Sequence, residues 1–195
     1  MRSERIRRLA ADERLARHAG FWWGLAEGLA FFIVPDVYIG FATLYALRSG
    51  LVAWYASVAG SLVAVCVIYL LVRMFGVPYI ELLDAIPGIS GSLLDQTAVT
   101  LLADGLPWTP WLVLGGVPLK VYAGLACTLG FSLGSVFVWT VFARIVRIAP
   151  VYALIALVRL VFRRSIDANA RVWFVLYVVG WVLFYAFYFE RMRRG

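Results

Sequence analysis

Seven polar side chains lie inside apolar sequence, and their types limit the chemistry open to the chain. Glu27 and Asp36 occur in "AEGLAFFIVPDVYIGFATL" (26–44), and Tyr69 and Arg73 in "GSLVAVCVIYLLVRMFG" (60–76). Lys120 belongs to "GGVPLKVYAG" (115–124), and Arg144 and Arg147 to "ARIVRIAP" (143–150). A carboxylate near a bilayer centre costs about 2.5–3.5 kcal/mol, so intramembrane charge usually marks a pathway. Desolvated carboxyls such as Glu27 and Asp36 suit proton loading and release. Lysine and forked guanidinium groups suit a phosphate, with Tyr69 one turn from Arg73 as a further donor. Plainer readings stand beside these. Glu27 can reach headgroup water, Asp36 and Lys120 can form a structural ion pair, and Arg73, Arg144 and Arg147 can anchor helix ends. Tyr69 can be an interfacial aromatic.

The elements around these residues must be membrane elements. Of 195 residues, 64% are hydrophobic and 15% charged, against about 45–50% and 25% in soluble domains. The net charge of +7 gathers at segment ends, which suits headgroups and topology rather than nucleic acid. Cys66 and Cys127 read as small buried hydrophobes, and no cofactor or metal site is expected. The single histidine, His18, lies in the charged start, which argues against histidine-based catalysis; no catalytic residue and no enzyme activity are expected.

Residues 1–18 read as a basic amphipathic tail carrying Ile6, Leu9, Ala10 and Leu15, and as an uncleaved segment rather than a signal peptide. Residues 21–47 form an apolar block split at Pro35–Asp36, with arms too short to cross alone. Arginines flank both ends, so the block is expected to enter and leave on one side as a re-entrant hairpin with Pro35 at its tip. Residues 51–75 read as a spanning helix, and the acidic stretch 76–97 as its far-side connection. A second interrupted block (98–130) has its tip at Pro118. Helix 131–149 follows, ending in Arg144 and Arg147, and then two C-terminal membrane helices, about 148–162 and 172–189.

The two interrupted blocks resemble each other. "AEGL" is echoed by "ADGL" (103–106), and "VPDVYIGFATL" by "VPLKVYAGLACTL" (117–129). Gly60-Ser61 with Val72-Arg73 parallels Gly134-Ser135 with Val146-Arg147. The expected fold is therefore an all-α integral membrane protein forming one membrane domain. It comprises the tail, repeat 1 (19–76), repeat 2 (98–150) and a C-terminal part (151–195). The repeats are inverted, and broken segments in inverted repeats point to a transport site near the midplane. The alignment sets Asp36 against Lys120 on facing tips.

These motifs resemble the DedA, or VTT (SNARE-associated), membrane family, in its small YqaA-like branch. "AEGLAFFIVPDVYIG" is similar to its E-x-x-F-x-P-x-P-P-D signature. Gly60, Ser61, Tyr69, Arg73 and Gly76 match its glycine-rich helix, Pro118, Lys120 and Val121 its P-I-P-Y-K-V-F segment, and Arg144 and Arg147 its R-G-x-R end. The resemblance implies movement of an anionic lipid, a polyprenyl phosphate or phospholipid, by a flippase or scramblase coupled to protons. It also implies a bacterial or archaeal cytoplasmic membrane with the N-terminus inside. Glu27 and Asp36 would carry protons, and Lys120, Arg73, Arg144, Arg147 and Tyr69 would bind phosphate. A small-solute or ion transporter and a non-transporting membrane-homeostasis factor are the alternatives, and a homo-oligomer is left open.

Overall fold

In the computed structural model, residues 3–31, 33–86, 89–114 and 117–194 are described. Phe32 of the first break and Gly115 and Gly116 of the second lie outside them. The described chain is all helical, and three helices are long and apolar enough to cross a membrane: Leu47–Arg73, Leu133–Val161 and Ala170–Phe187.

The charged start divides at Asp12. Its carboxylate accepts hydrogen bonds from the Arg14 and Leu15 amides at 2.9 and 3.1 Å, so a second helix begins there. Helix α1 (Ser3–Ala11) is short, and residues 13–18 belong to α2 (Glu13–Leu29) rather than to a tail. α1 buries Ile6 and Ala10 against Leu44, Tyr45, Ile166 and Ala170. At 17 residues, α2 is about 25 Å long.

α2 packs along α4 (Leu47–Arg73) through small residues. Gly20, Gly24 and Gly28 stand four apart, one turn each. A methyl group added at the first two would strike the Ala53 and Ser57 backbone, and at Gly28 the Ala64 side chain. Gly60 of α4 meets the Phe21 carbonyl in the same way. Such close approach gains dispersion where lipid offers no hydrophobic drive between helices.

Between these partners the chain breaks. α2 stops at Leu29, and α3 (Asp36–Tyr45) starts after Pro35, whose ring supplies no amide hydrogen. Extended backbone at Ala46 then turns the chain into α4. Glu13 at the start of α2 pairs with Arg48 at the start of α4 (3.0 Å), so the α2–α3 unit leaves beside where it began.

Beyond α4 come α5 (Tyr79–Asp84), α6 (Gly91–Asp104), α7 (Pro110–Leu114) and α8 (Leu119–Thr128). α8 is buried on every side from Leu119 to Cys127, Lys120 included. Gly130, at φ 86, makes the corner into α9 (Leu133–Val161). The main core joins Val65 and Ile68 of α4, Val121 and Tyr122 of α8, and Val136 and Trp139 of α9. α3 packs on both α4 and α9, and so does α8, which leaves the two long helices joined through the two short ones.

Helix α9 departs from expectation. It runs unbroken through Pro150 for 29 residues, so 148–162 is its second half and not a separate membrane helix. One C-terminal membrane helix remains, α11 (Ala170–Arg194), reached through α10 (Arg163–Ala168). Arg159 grips Asp167 at 2.8 Å, and this hydrogen bond lowers the Asp167 carboxyl from its ordinary value. The Tyr45 hydroxyl donates to the Ala170 carbonyl at 2.7 Å, setting α11 on the α1 face.

Candidate functional site: a buried charge cluster at the broken helix

The break at 30–35 leaves backbone groups that no helix satisfies, and side chains from four elements supply partners. The Trp23 indole N–H donates to the Ile33 carbonyl (2.8 Å), and the Tyr79 hydroxyl to the Leu29 carbonyl (2.8 Å). The Val34 amide donates to the Tyr185 hydroxyl (3.0 Å). Lys120 reaches across from α8, its Nζ donating to the carbonyls of Glu27 (3.2 Å) and Phe31 (2.8 Å). This arrangement meets the demand that irregular backbone inside a membrane protein be satisfied by the protein itself. Lys120, near the N-terminus of α8, sits badly with that helix's dipole. Its ammonium lies instead at the negative C-terminal end of α2.

Below the break, Glu27 and Arg144 form an ion pair through Oε2 and Nη2, both side chains almost wholly buried. The pairing offsets part of the desolvation of two charges. Among the described residues Arg144 finds no partner for Nε and Nη1, and Asp36 none for Oδ1, although both residues are buried. Asp36 opens α3, where the helix N-terminus favours a carboxylate. Arg147, half-buried one turn along α9, is within electrostatic reach of Glu27, Asp36 and Lys120. With all five groups ionised, three cations face two anions and the cluster is one positive charge in excess. Arg144 and Arg147 also line a cavity of about 20 Å³ with Val113, Val117, Leu119, Tyr122, Trp139 and Ala143, room for a water-sized group.

Glu27, Asp36, Lys120, Arg144 and Arg147 thus come together, with Pro35 beside Asp36 and Pro118 leading into α8. The pairing differs from expectation. Lys120 binds backbone carbonyls, not Asp36, and the ion pair of the cluster is Glu27–Arg144. Arg73 stands apart, exposed at the end of α4 near Gly130. Tyr69 packs partly buried on the main core. Arg73 and Arg147 are not equivalent helix ends, because α9 continues well past Arg147 to Val161 and carries Arg159 in its last turn.

Sequence reading missed Trp23, Tyr79, Tyr177 and Tyr185, whose polar atoms serve the backbone of the break and of α3. Their signal was faint: tyrosines and tryptophans in apolar runs look like interfacial residues. The chain matches no family model, no curated protein and no solved structure. What the fold and site define is a class, a membrane-embedded helical protein with a buried charge cluster at a helix break.

Proposed function

We propose that the protein moves an anionic lipid between bilayer leaflets, acting as a flippase or scramblase with proton-carrying carboxylates at the break. The observation that carries this reading is the cluster of buried Glu27, Asp36, Lys120 and Arg144 with half-buried Arg147 against a discontinuous helix. Discontinuous helices with charges at their ends are how transporters build midplane sites. In this reading α2–α3 and α6–α8 are inverted re-entrant units. The packing of both α3 and α8 on the long helices α4 and α9 and the Lys120 bridge from α8 to the first break support it.

The phosphate of the lipid competes with Glu27 for Arg144, whose free N–H groups and neighbour Arg147 provide the attraction. A proton on Glu27 weakens its hold on Arg144 and favours the phosphate; its loss returns Arg144 to Glu27. The cavity is too small for a phosphate as it stands, so binding requires its lining side chains to move apart. Acyl or prenyl tails remain in lipid along the exposed apolar faces of α9 and α11.

Reconstitution tests this. Vesicles holding the full chain receive a fluorescent anionic phospholipid or a polyprenyl phosphate, with and without an imposed pH gradient. Leaflet exchange faster than in protein-free vesicles, and dependent on the gradient, is expected. Baseline exchange with both lipids contradicts the proposal; solute uptake in its place assigns the cluster to small-solute or ion transport.

A further inference from the structure

The two tyrosines that α11 sends to the first break point to a role for this helix. The Tyr177 hydroxyl lies 2.8 Å from the Val37 carbonyl and 3.4 Å from that of Asp36, and donates to them. Eight residues later, the Tyr185 hydroxyl accepts from the Val34 amide. These bonds bracket Pro35 and Asp36 from a single helix. Gly40 makes room for the first, because a methyl group there would fall on the Tyr177 hydroxyl. Past its first turns, where Ala170, Trp173 and Phe174 pack near Leu44 and Tyr45, α11 is poorly embedded: Val178, Val179, Val182, Leu183 and Phe187 are all exposed. A helix that packs so little on its own protein, yet hydrogen-bonds the backbone around a buried carboxylate, has the form of a latch.

We propose that Tyr177 and Tyr185 are positioning residues that fasten α11 over the 34–37 backbone, keep Asp36 turned into the cluster, and open it to the lipid phase when they release. The purpose of the latch rests on the lipid-transfer reading; its geometry does not. The charged and titratable groups facing Asp36 are Arg144 and Arg147 of α9, Glu27 of α2, and Tyr177 and Tyr185 of α11. Of these, the two tyrosines belong to α11, whereas the Glu27–Arg144 pair joins α2 to α9. Release should therefore expose Asp36 and spare Glu27.

Dicyclohexylcarbodiimide, which reaches carboxyls from the apolar phase, reads this difference. The full chain is reconstituted in phosphatidylcholine–phosphatidylglycerol vesicles, and modification at Asp36 and at Glu27 is followed by mass spectrometry in the same molecules. In Tyr177→Phe/Tyr185→Phe, Asp36 should be modified about tenfold faster than in the wild type, with Glu27 within about twofold. Gly40→Ala should raise the Asp36 rate alike by displacing the Tyr177 hydroxyl. An unchanged Asp36 rate in these variants overturns the latch; so does a parallel rise at both carboxyls, which marks general loosening. If the double variant does not fold, Tyr177→Phe and Gly40→Ala are read by the same ratio. Leaflet exchange in the same vesicles is a separate readout. A wild type without exchange removes the lipid reading while the labelling ratio still decides the latch.

Discussion

Glu27→Gln and Asp36→Asn remove one formal charge each, yet the structure separates their consequences. Glu27 neutralises a buried arginine, so Glu27→Gln leaves Arg144 uncompensated and should cost about 3–5 kcal/mol of stability. Asp36 has an oxygen with no partner among the described residues, so Asp36→Asn should cost under about 1 kcal/mol. Both should abolish lipid exchange. Denaturation in detergent beside exchange in vesicles checks the pair of outcomes, and equal stability losses would contradict the assigned ion pair. Lys120→Ala removes two hydrogen bonds from a charged donor to the break, and a loss of about 1.5–3 kcal/mol is expected in the same measurement. At this scale the sequence was informative wherever a charge interrupted apolar residues, since membrane burial makes such charges costly. It did not reveal who pairs with whom. Lys120 found carbonyls and Arg144 found Glu27 because those partners are 89 to 117 residues away in sequence, beyond any local pattern.

Helix boundaries tell a similar story. The break at Pro35 was legible because proline and a carboxylate in one apolar run leave few alternatives. The end of α9 was not. Arg144, Arg147 and Pro150 together resemble a helix terminus, but the chain carries on, leaving the Val146 carbonyl without its usual helical donor. That continuation moves two arginines from a helix end to a helix interior, where they join the cluster. Internal similarity misled in the same place. Gly60 sits in the middle of α4 against the Phe21 carbonyl, whereas Gly134 is the second residue of α9 and meets nothing within 4 Å. The two glycines should therefore respond differently. Gly24→Val or Gly60→Val should force α2 from α4 at about 3 kcal/mol or more, while Gly134→Ala should stay within about 0.5 kcal/mol. Folded yield by size-exclusion chromatography distinguishes them, and a comparable loss at Gly134 would argue against the small-residue contact as the organising seam.

Charge is distributed unevenly over the whole molecule. α1, the starts of α2, α4 and α11, and the end of α9 converge on one face, bringing Arg5, Arg7, Arg8, Arg14, Arg17, Arg48, Arg159, Arg163, Arg164 and Arg171 with them. Away from that face lie exposed Glu81, Asp84 and Asp95, with Arg73 at the end of α4. By the positive-inside rule we propose that the arginine face is the cytoplasmic one. Cysteines placed at Ser3 and Ser92, with Cys66 and Cys127 replaced by alanine, should be labelled by an impermeant thiol reagent from opposite sides of the membrane. Everything proposed for the cluster depends on where along the bilayer normal its breaks lie. Spin labels at Val34 and at Val117 report that depth through oxygen and nickel-chelate relaxation. Both should read near the centre of the hydrocarbon core, about 15 Å below the headgroups. Either label within about 5 Å of the headgroups would contradict the account.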